Sequence, residues 1–286
     1  MKTIKNPVHN YLRPNKKFPH IWCPGCSNGI SSAAIIRAID KLQLDRDEVV
    51  LVSGIGCTAR MPVYFDFCSL HTTHGRAIAY ATGVKCANPK LKVIVVTGDG
   101  DCTAIGGNHF IHASRRNIDL TVVVFNNNVY GMTGGQYSPT TPKQAYAATA
   151  PWGHYEPQFD ICKLAIGAGA TFVARGVPYN APLLEKYIAE GIMHPGFAVI
   201  EVMSICPSVF SFYNRSGNAP KMLNDLKEIT IMSTAAQKLR EQGVEVDKWE
   251  LGVLHKAEAP EFVSEYTAKA SHERKPFSLH LGTLEL

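Results

Sequence analysis

Residues 93–101 read Val-Ile-Val-Val-Thr-Gly-Asp-Gly-Asp, and residues 122–131 read Val-Val-Val-Phe-Asn-Asn-Asn-Val-Tyr-Gly. Each opens as a short unbroken apolar run rich in β-branched side chains and closes on small, polar residues. That length and composition predict strands buried on both faces, the kind found in a parallel sheet covered by helices. Between them, from about Ala104 to Arg116, apolar positions recur at helical spacing, so strand, helix and strand make one βαβ unit.

The alternation continues in both directions. Upstream lie a helix from about Arg76 to Cys86, a strand at Val49–Val52 ending in Ser53-Gly54, and a helix from Ser27 to Leu44. Downstream lie a helix at Ile161–Ile166, a strand at Thr171–Ala174, a helix at Ala181–Glu190 and a strand at Ala198–Met203. The expected fold is α/β, a parallel sheet with helices on both faces, whose ligand loops gather at the carboxyl ends of the strands. The Gly- and Thr-rich stretch Tyr130–Gly153 is longer than a structureless connection normally runs, and its content favours a functional loop. The organisation is a basic arm (1–22), an α/β domain (23–207) and a C-terminal extension (208–286). The extension holds an amphipathic helix near Leu226–Gln242 and a polar tail expected to wrap a partner or be poorly ordered.

Composition narrows the class. With 286 residues, 45% hydrophobic and 19% charged, the chain falls below the ~25% charge usual for soluble domains, as expected of a subunit whose surface is partly covered. The net charge of +5 comes from Lys2, Lys5, Arg13, Lys16 and Lys17 in an arm without acids, read as a solvated tail. Basic–aromatic repeats are absent, so nucleic acid is not an expected partner. No apolar run reaches the ~18 residues of a membrane span and no secretory signal is present, which predicts a cytoplasmic protein. Eight cysteines in such a chain point to metal or redox chemistry rather than a disulfide framework.

The two strand-end loops carry the first site. Gly98 and Gly100 permit a tight turn and close backbone approach, and the following helix N-terminus offers amide donors to an anion. Asp99 adds a hard anionic oxygen and Asn127, 28 residues later, a neutral one, a set suited to magnesium completed by phosphate and water. A lone Gly-Asp-Gly would also describe a turn with a capping Asp. The pair GDGD and NNNVYG, however, resembles the thiamine diphosphate signature, which implies magnesium held by Asp99, the Asn127 side chain and the Val129 carbonyl. The segments Met132-Thr133-Gly134-Gly135-Gln136 and His71-Thr72-Thr73-His74-Gly75-Arg76 extend the likeness, with His74 and Arg76 as donors to diphosphate or shapers of a packed turn.

Trp22-Cys23-Pro24-Gly25-Cys26 supplies two thiolates that alone fit zinc, iron–sulfur or dithiol chemistry. A thioredoxin-type dithiol would need its own small βαβ unit, and structural zinc usually brings a second CxxC pair; neither is present. Cys57 and Cys206 each follow a strand, where the thiamine loops also gather, so Cys23, Cys26, Cys57 and Cys206 are candidate ligands of a 4Fe-4S cluster near the cofactor. Cys68, Cys86, Cys102 and Cys162 are expected to be small buried hydrophobes.

From Cys23 to Pro207, through WCPGC, GIGC, HTTHGRA, GDGDCTAIGGNHFIHASRRN, NNNVYGMTGGQ and the late Cys-Pro, the chain resembles the β subunit of 2-oxoacid:ferredoxin oxidoreductases, most nearly the 2-oxoglutarate type. Ser27 stands where Gly commonly follows the second Cys, and the tail finds no match. The resemblance implies the thiamine diphosphate-binding fold and cofactor contacts from Cys57, Thr58, His74, Gly75 and Arg76. It adds Gly98, Asp99, Gly100 and Asp101, and then Asn127, Val129, Tyr130, Gly131, Met132 and Thr133. It further implies oxidative decarboxylation of a 2-oxo acid with coenzyme A, electrons passing through the cluster to ferredoxin. An α subunit is then expected to supply the activating Glu and coenzyme A contacts, in an (αβ)2 heterotetramer.

His74 and Arg60 are the candidate catalytic residues, Arg60 because it follows Cys57 by three positions and can pair with a second carboxylate, favouring 2-oxoglutarate over pyruvate. Pyruvate or branched 2-oxo acids, an electron-transfer subunit with a structural cluster and a carboligase remain the competing readings.

Overall fold

The apolar runs form β1 (Val49–Ser53), β3 (Lys92–Gly98), β4 (Leu120–Asn126), β5 (Phe172–Gly176) and β6 (Phe197–Met203), with β2 (Cys68–His71) beside β1. The structure is a computed structural model that describes residues 6–16 and 19–270. Eight strands make one sheet in the order β2-β1-β3-β4-β6-β5-β8-β7, where β7 is Thr230–Met232 and β8 is Trp249–Lys256. Strands β2 through β5 are parallel to their neighbours, and β8 runs antiparallel to β5.

Alternation along each strand sends successive side chains to opposite faces, and two cores result. On one face Leu51, Ile94, Val96, Val123 and Phe125 meet Ile35, Ile36 and Ile39 of α1 (Asn28–Lys41) and Leu184, Ile188 and Ile192 of α5 (Ala181–Met193). On the other, Val50, Val52, Val93, Val95, Val122 and Val124 meet α2 (Ala77–Ala87), α3 (Gly107–Arg115) and α4 (Ile161–Gly167) through Ile78, Phe110 and Ile161. The chain enters α3 through a π turn at Asp101–Ile105 instead of starting a helix at Ala104. Because β1, β3, β4 and β6 are parallel, the chain leaves their carboxyl ends on one edge, where the site is built.

Other elements depart from expectation as well. β2 was not anticipated, because all four of its residues are exposed and give no apolar signal. The single helix expected at 226–242 is interrupted: α7 (Ala219–Glu228), β7 and α8 (Ser233–Glu241) follow one another after α6 (Val209–Asn214), since Thr230 and Ile231 are β-branched and Thr230 is buried. The extension is also no loose tail up to residue 270; β8 joins the sheet and α9 (Phe262–Ala270) buries Val263. Residues 271–286 lie outside the described ones.

The arm, where described, is packed rather than solvated. Val8 and Tyr11 are buried, and Arg13 donates to the Phe65 and Phe67 carbonyls at 2.9 and 3.1 Å. Lys2, Lys5 and Lys17 fall outside the described residues.

One buried ion cluster holds β5, β6 and the extension together. Arg175 donates to Glu201 Oε2 at 2.7 Å and to Asp160, and its guanidinium stacks 4.7 Å above the Trp249 ring. Arg175 and Glu201 are both almost fully buried. Removing one partner strands an opposite charge, so Arg175→Met is expected to destabilise the chain by about 3–5 kcal/mol, read as a lowered midpoint in urea unfolding. A shift of a few tenths would show that the cluster is relieved by water.

Candidate active site

The GDGD loop turns its two carboxylates to different tasks. Asp99 is buried, and its Oδ2 accepts hydroxyl hydrogen bonds from Ser138 at 2.5 Å and Thr140 at 2.6 Å. Burial pushes its carboxyl up, against the opposing pull of those hydroxyls and of backbone amides. Asp101 turns toward the neighbouring loops instead: its Oδ1 meets His74 Nδ1 at 2.5 Å and the Gly75 amide at 2.7 Å, while Oδ2 takes the Thr97 hydroxyl at 2.8 Å. Asp101 therefore holds the His74 ring through Nδ1. Gly75, at φ +72°, adopts a left-handed conformation in a turn pressed against Ile105.

The loop after β4 folds onto the first. Asn127 is nearly buried, its Oδ1 accepting the Val129 amide at 3.3 Å, and Asn128 holds φ +61° to close the turn. The Tyr130 hydroxyl donates to the Gly100 carbonyl at 3.2 Å, and a side chain at Gly100 would strike that ring. Thr58 lies beside Gly98, its hydroxyl 3.8 Å from where a Cβ would stand. Met132 and Thr133 are exposed beyond this turn, Thr133 bonding to Gln136, and Arg76 contacts His109 at the rim. The residues expected at the diphosphate site thus share one strand edge, with Asp101 acting on His74.

The four expected cluster cysteines converge. The Cys23–Cys26 turn packs Gly25 against Pro207, and Ser27 Oγ accepts the Ile205 amide at 3.0 Å, which brings the CxxC beside Cys206. Trp22 Nε1 donates to the Cys57 carbonyl at 2.7 Å and fastens the same segment to the loop after β1. A Cβ built on Gly131 would sit 3.5 Å from the Cys57 sulfur and 3.7 Å from that of Cys206. Burial, reinforced by the neighbouring thiols, pushes Cys57 up to about 11; Cys26 is pushed to about 12 by burial, a backbone amide at Asn28 opposing. No three of these sulfurs lie within 4.8 Å of one another among the described residues.

Cys102 and Cys162 are buried as expected, whereas Cys68 and Cys86 are exposed. Asp160, Cys162 and Glu201 also approach within 4.8 Å, but the Arg175 guanidinium already pairs with both carboxylates.

Residues 49–202 match the model of the thiamine pyrophosphate enzyme C-terminal, TPP-binding domain. The chain is 49% identical over 260 residues to the 2-oxoglutarate synthase subunit KorB of Methanocaldococcus jannaschii, covering 91% of this chain and 96% of that protein. It is 48% identical over 190 residues to the 2-oxoacid:ferredoxin oxidoreductase subunit beta of Saccharolobus solfataricus, covering 65% of this chain and 62% of that one. The chain belongs to the β subunits of the 2-oxoacid:ferredoxin oxidoreductases. A solved 2-oxoglutarate:ferredoxin oxidoreductase from Magnetococcus marinus, with 2-oxoglutarate, coenzyme A and succinyl-CoA bound, superposes with a TM-score of 0.80 at 32% identity, covering 94% of this chain and 90% of that one.

Within this family frame the thiamine-binding fold runs through the strands that carry Asp99 and Asn127. Ser138 and Thr140 escaped the sequence reading, because hydroxyls in an aperiodic loop signal only a turn. The length of the Tyr130–Gly153 stretch was the one clue. It forms no helix or strand, yet Ser138, Thr140 and Thr141 are fully buried. Among the described residues no helix is long and apolar enough to cross a membrane.

Proposed function

We propose that this chain is the thiamine- and cluster-bearing subunit of an enzyme that decarboxylates 2-oxoglutarate oxidatively, with coenzyme A as acyl acceptor and ferredoxin as electron acceptor. Similarity to proteins named 2-oxoglutarate synthase subunits supports the substrate. One observation carries the mechanism: Gly131, in the loop that follows Asn127, lies against both Cys57 and Cys206.

The residues suit the groups assigned to them. Asp99 offers a buried carboxylate whose charge calls for a cation, Asn127 and the Val129 carbonyl add hard oxygens, and together they would hold magnesium and through it the diphosphate. Cys23, Cys26, Cys57 and Cys206, drawn together beside Gly131, would ligate one 4Fe-4S cluster. When bound, thiamine diphosphate supplies the electron sink for loss of carbon dioxide, and the cluster supplies one-electron acceptance.

The protein contributes position and field. Asp101 holds His74 so that Nε2 is the atom that keeps or gives a proton at the mouth of the site. Thr58 and Gly98 keep the turn narrow, and Tyr130 locks the two half-loops together. The buried setting around Asp99 excludes water and strengthens each of these interactions. The activating Glu is assigned to an α subunit, which makes the active site an interface in an (αβ)2 assembly.

Arg60 is half-buried on the first turn after Cys57 and makes no side-chain hydrogen bond or ion pair among the described residues. Its guanidinium is therefore available to the distal carboxylate of 2-oxoglutarate. Arg60→Ala is expected to raise KM for 2-oxoglutarate about 10–100-fold, the cost of losing a charge-assisted pair of roughly 1.5–3 kcal/mol, with pyruvate turnover unchanged. Equal loss on both substrates in a steady-state assay would remove Arg60 from substrate choice. The whole reading is tested by anaerobic co-purification with the α subunit, followed by iron, sulfide and thiamine analysis and assay against a panel of 2-oxo acids. Iron-free, thiamine-free protein in an active complex would overturn it.

A further inference from the structure

The segment Ser138-Pro139-Thr140-Thr141 lies about forty residues beyond Asp99 in sequence, yet it reaches both halves of the metal site. Ser138 and Thr140 donate their hydroxyls to the same oxygen, Asp99 Oδ2, and lie 2.9 Å from each other. The Thr141 hydroxyl donates to the Asn128 carbonyl at 2.7 Å, next to Asn127. The segment is itself braced: Thr141 Oγ1 accepts the Ser138 amide at 2.8 Å, and Gln158 Nε2 donates to the Thr140 carbonyl at 2.6 Å. All three hydroxyl residues are buried to 1% exposure or less, so these bonds are not competed for by water.

We propose that Ser138, Thr140 and Thr141 form a hydroxyl clip that positions the oxygens of the metal site and, by occupying Oδ2, confines Asp99 to one-oxygen coordination. The inference rests on the magnesium–thiamine reading above. Its physical content is selectivity. A carboxylate with one oxygen already taken by two donors serves an ion that accepts six ligands at short distance, and serves poorly an ion that wants six to eight and favours two-oxygen grips. The clip thus favours magnesium over calcium, and it aligns the β3 and β4 loops before either ligand arrives.

The test uses the αβ complex, stripped of cofactor and titrated with thiamine diphosphate in magnesium or in calcium by calorimetry, so that no turnover is needed. The double variant Ser138→Ala, Thr140→Val is expected to lose about 10–100-fold in magnesium-supported affinity, in line with loss of outer-shell contacts. Calcium-supported affinity should fall less, so the preference narrows, and Thr140→Ser alone, which keeps a hydroxyl at that position, should leave both near wild type. Unchanged magnesium affinity would overturn the proposal. So would an equal fall with both cations, the mark of a loop that is merely structural. A wild-type complex that binds no thiamine with magnesium overturns the cofactor reading and the clip with it, and is recognised before any variant is made.

Discussion

Cys57→Ser in the αβ complex is expected to abolish reduction of ferredoxin by 2-oxo acid, with the brown visible absorbance and most of the iron and sulfide lost. Cys57 sits at the junction of three features: its sulfur lies against Gly131, its carbonyl is held by Trp22, and its thiol senses Cys206 and Cys23. A hydroxyl at that position is a poor ligand for iron that prefers thiolate. Thiamine binding should survive, because Asp99, Ser138 and Thr140 are untouched. The exposed Cys68 is the control, and Cys68→Ser should retain full iron. Full ferredoxin reduction by the Cys57 variant would place the electron exit elsewhere.

Asp99→Asn should separate folding from function. The amide keeps the volume and can still meet the Ser138 and Thr140 hydroxyls, but the charge that would hold magnesium is gone. The expected loss in magnesium-dependent thiamine binding and in kcat/KM exceeds the about 10–100-fold that an outer contact is worth. The cofactor-free chain should unfold at an equal or higher denaturant concentration, since a buried carboxylate without a countercharge opposes folding even when hydroxyls bond to it. Calorimetry and urea unfolding on the same preparation read both effects. Retained binding would remove Asp99 from the metal site.

What the sequence disclosed and what it concealed divide along physical lines. Strands β1, β3 and β4 are apolar on both faces, so they stood out as runs, and the loops behind them carried Asp99, Asn127 and Cys57 in plain view. The Cys206 position was legible because Ile205-Cys206-Pro207 follows a strand, and Ser27, next to Cys26, accepts the Ile205 amide. Hidden were features that depend on a partner far along the chain. Ser138 and Thr140 look like any loop hydroxyls until Asp99 is placed beside them, and that Asp101 bonds His74 and Gly75 is equally invisible along the chain. β2 is exposed throughout, and β7, only three residues long, carried too short a pattern to break a helix read from 226 to 242.

The antiparallel β8 has a bearing on solubility. Strand β5 is buried along its whole length and would, without β8, offer an open ladder of amides and carbonyls to any other extended chain. With β8 in place the sheet terminates in β7 at one side and in the four-residue β2 at the other, both too brief to template a neighbour. The segment after Pro207 thus acts as a stopper against runaway association.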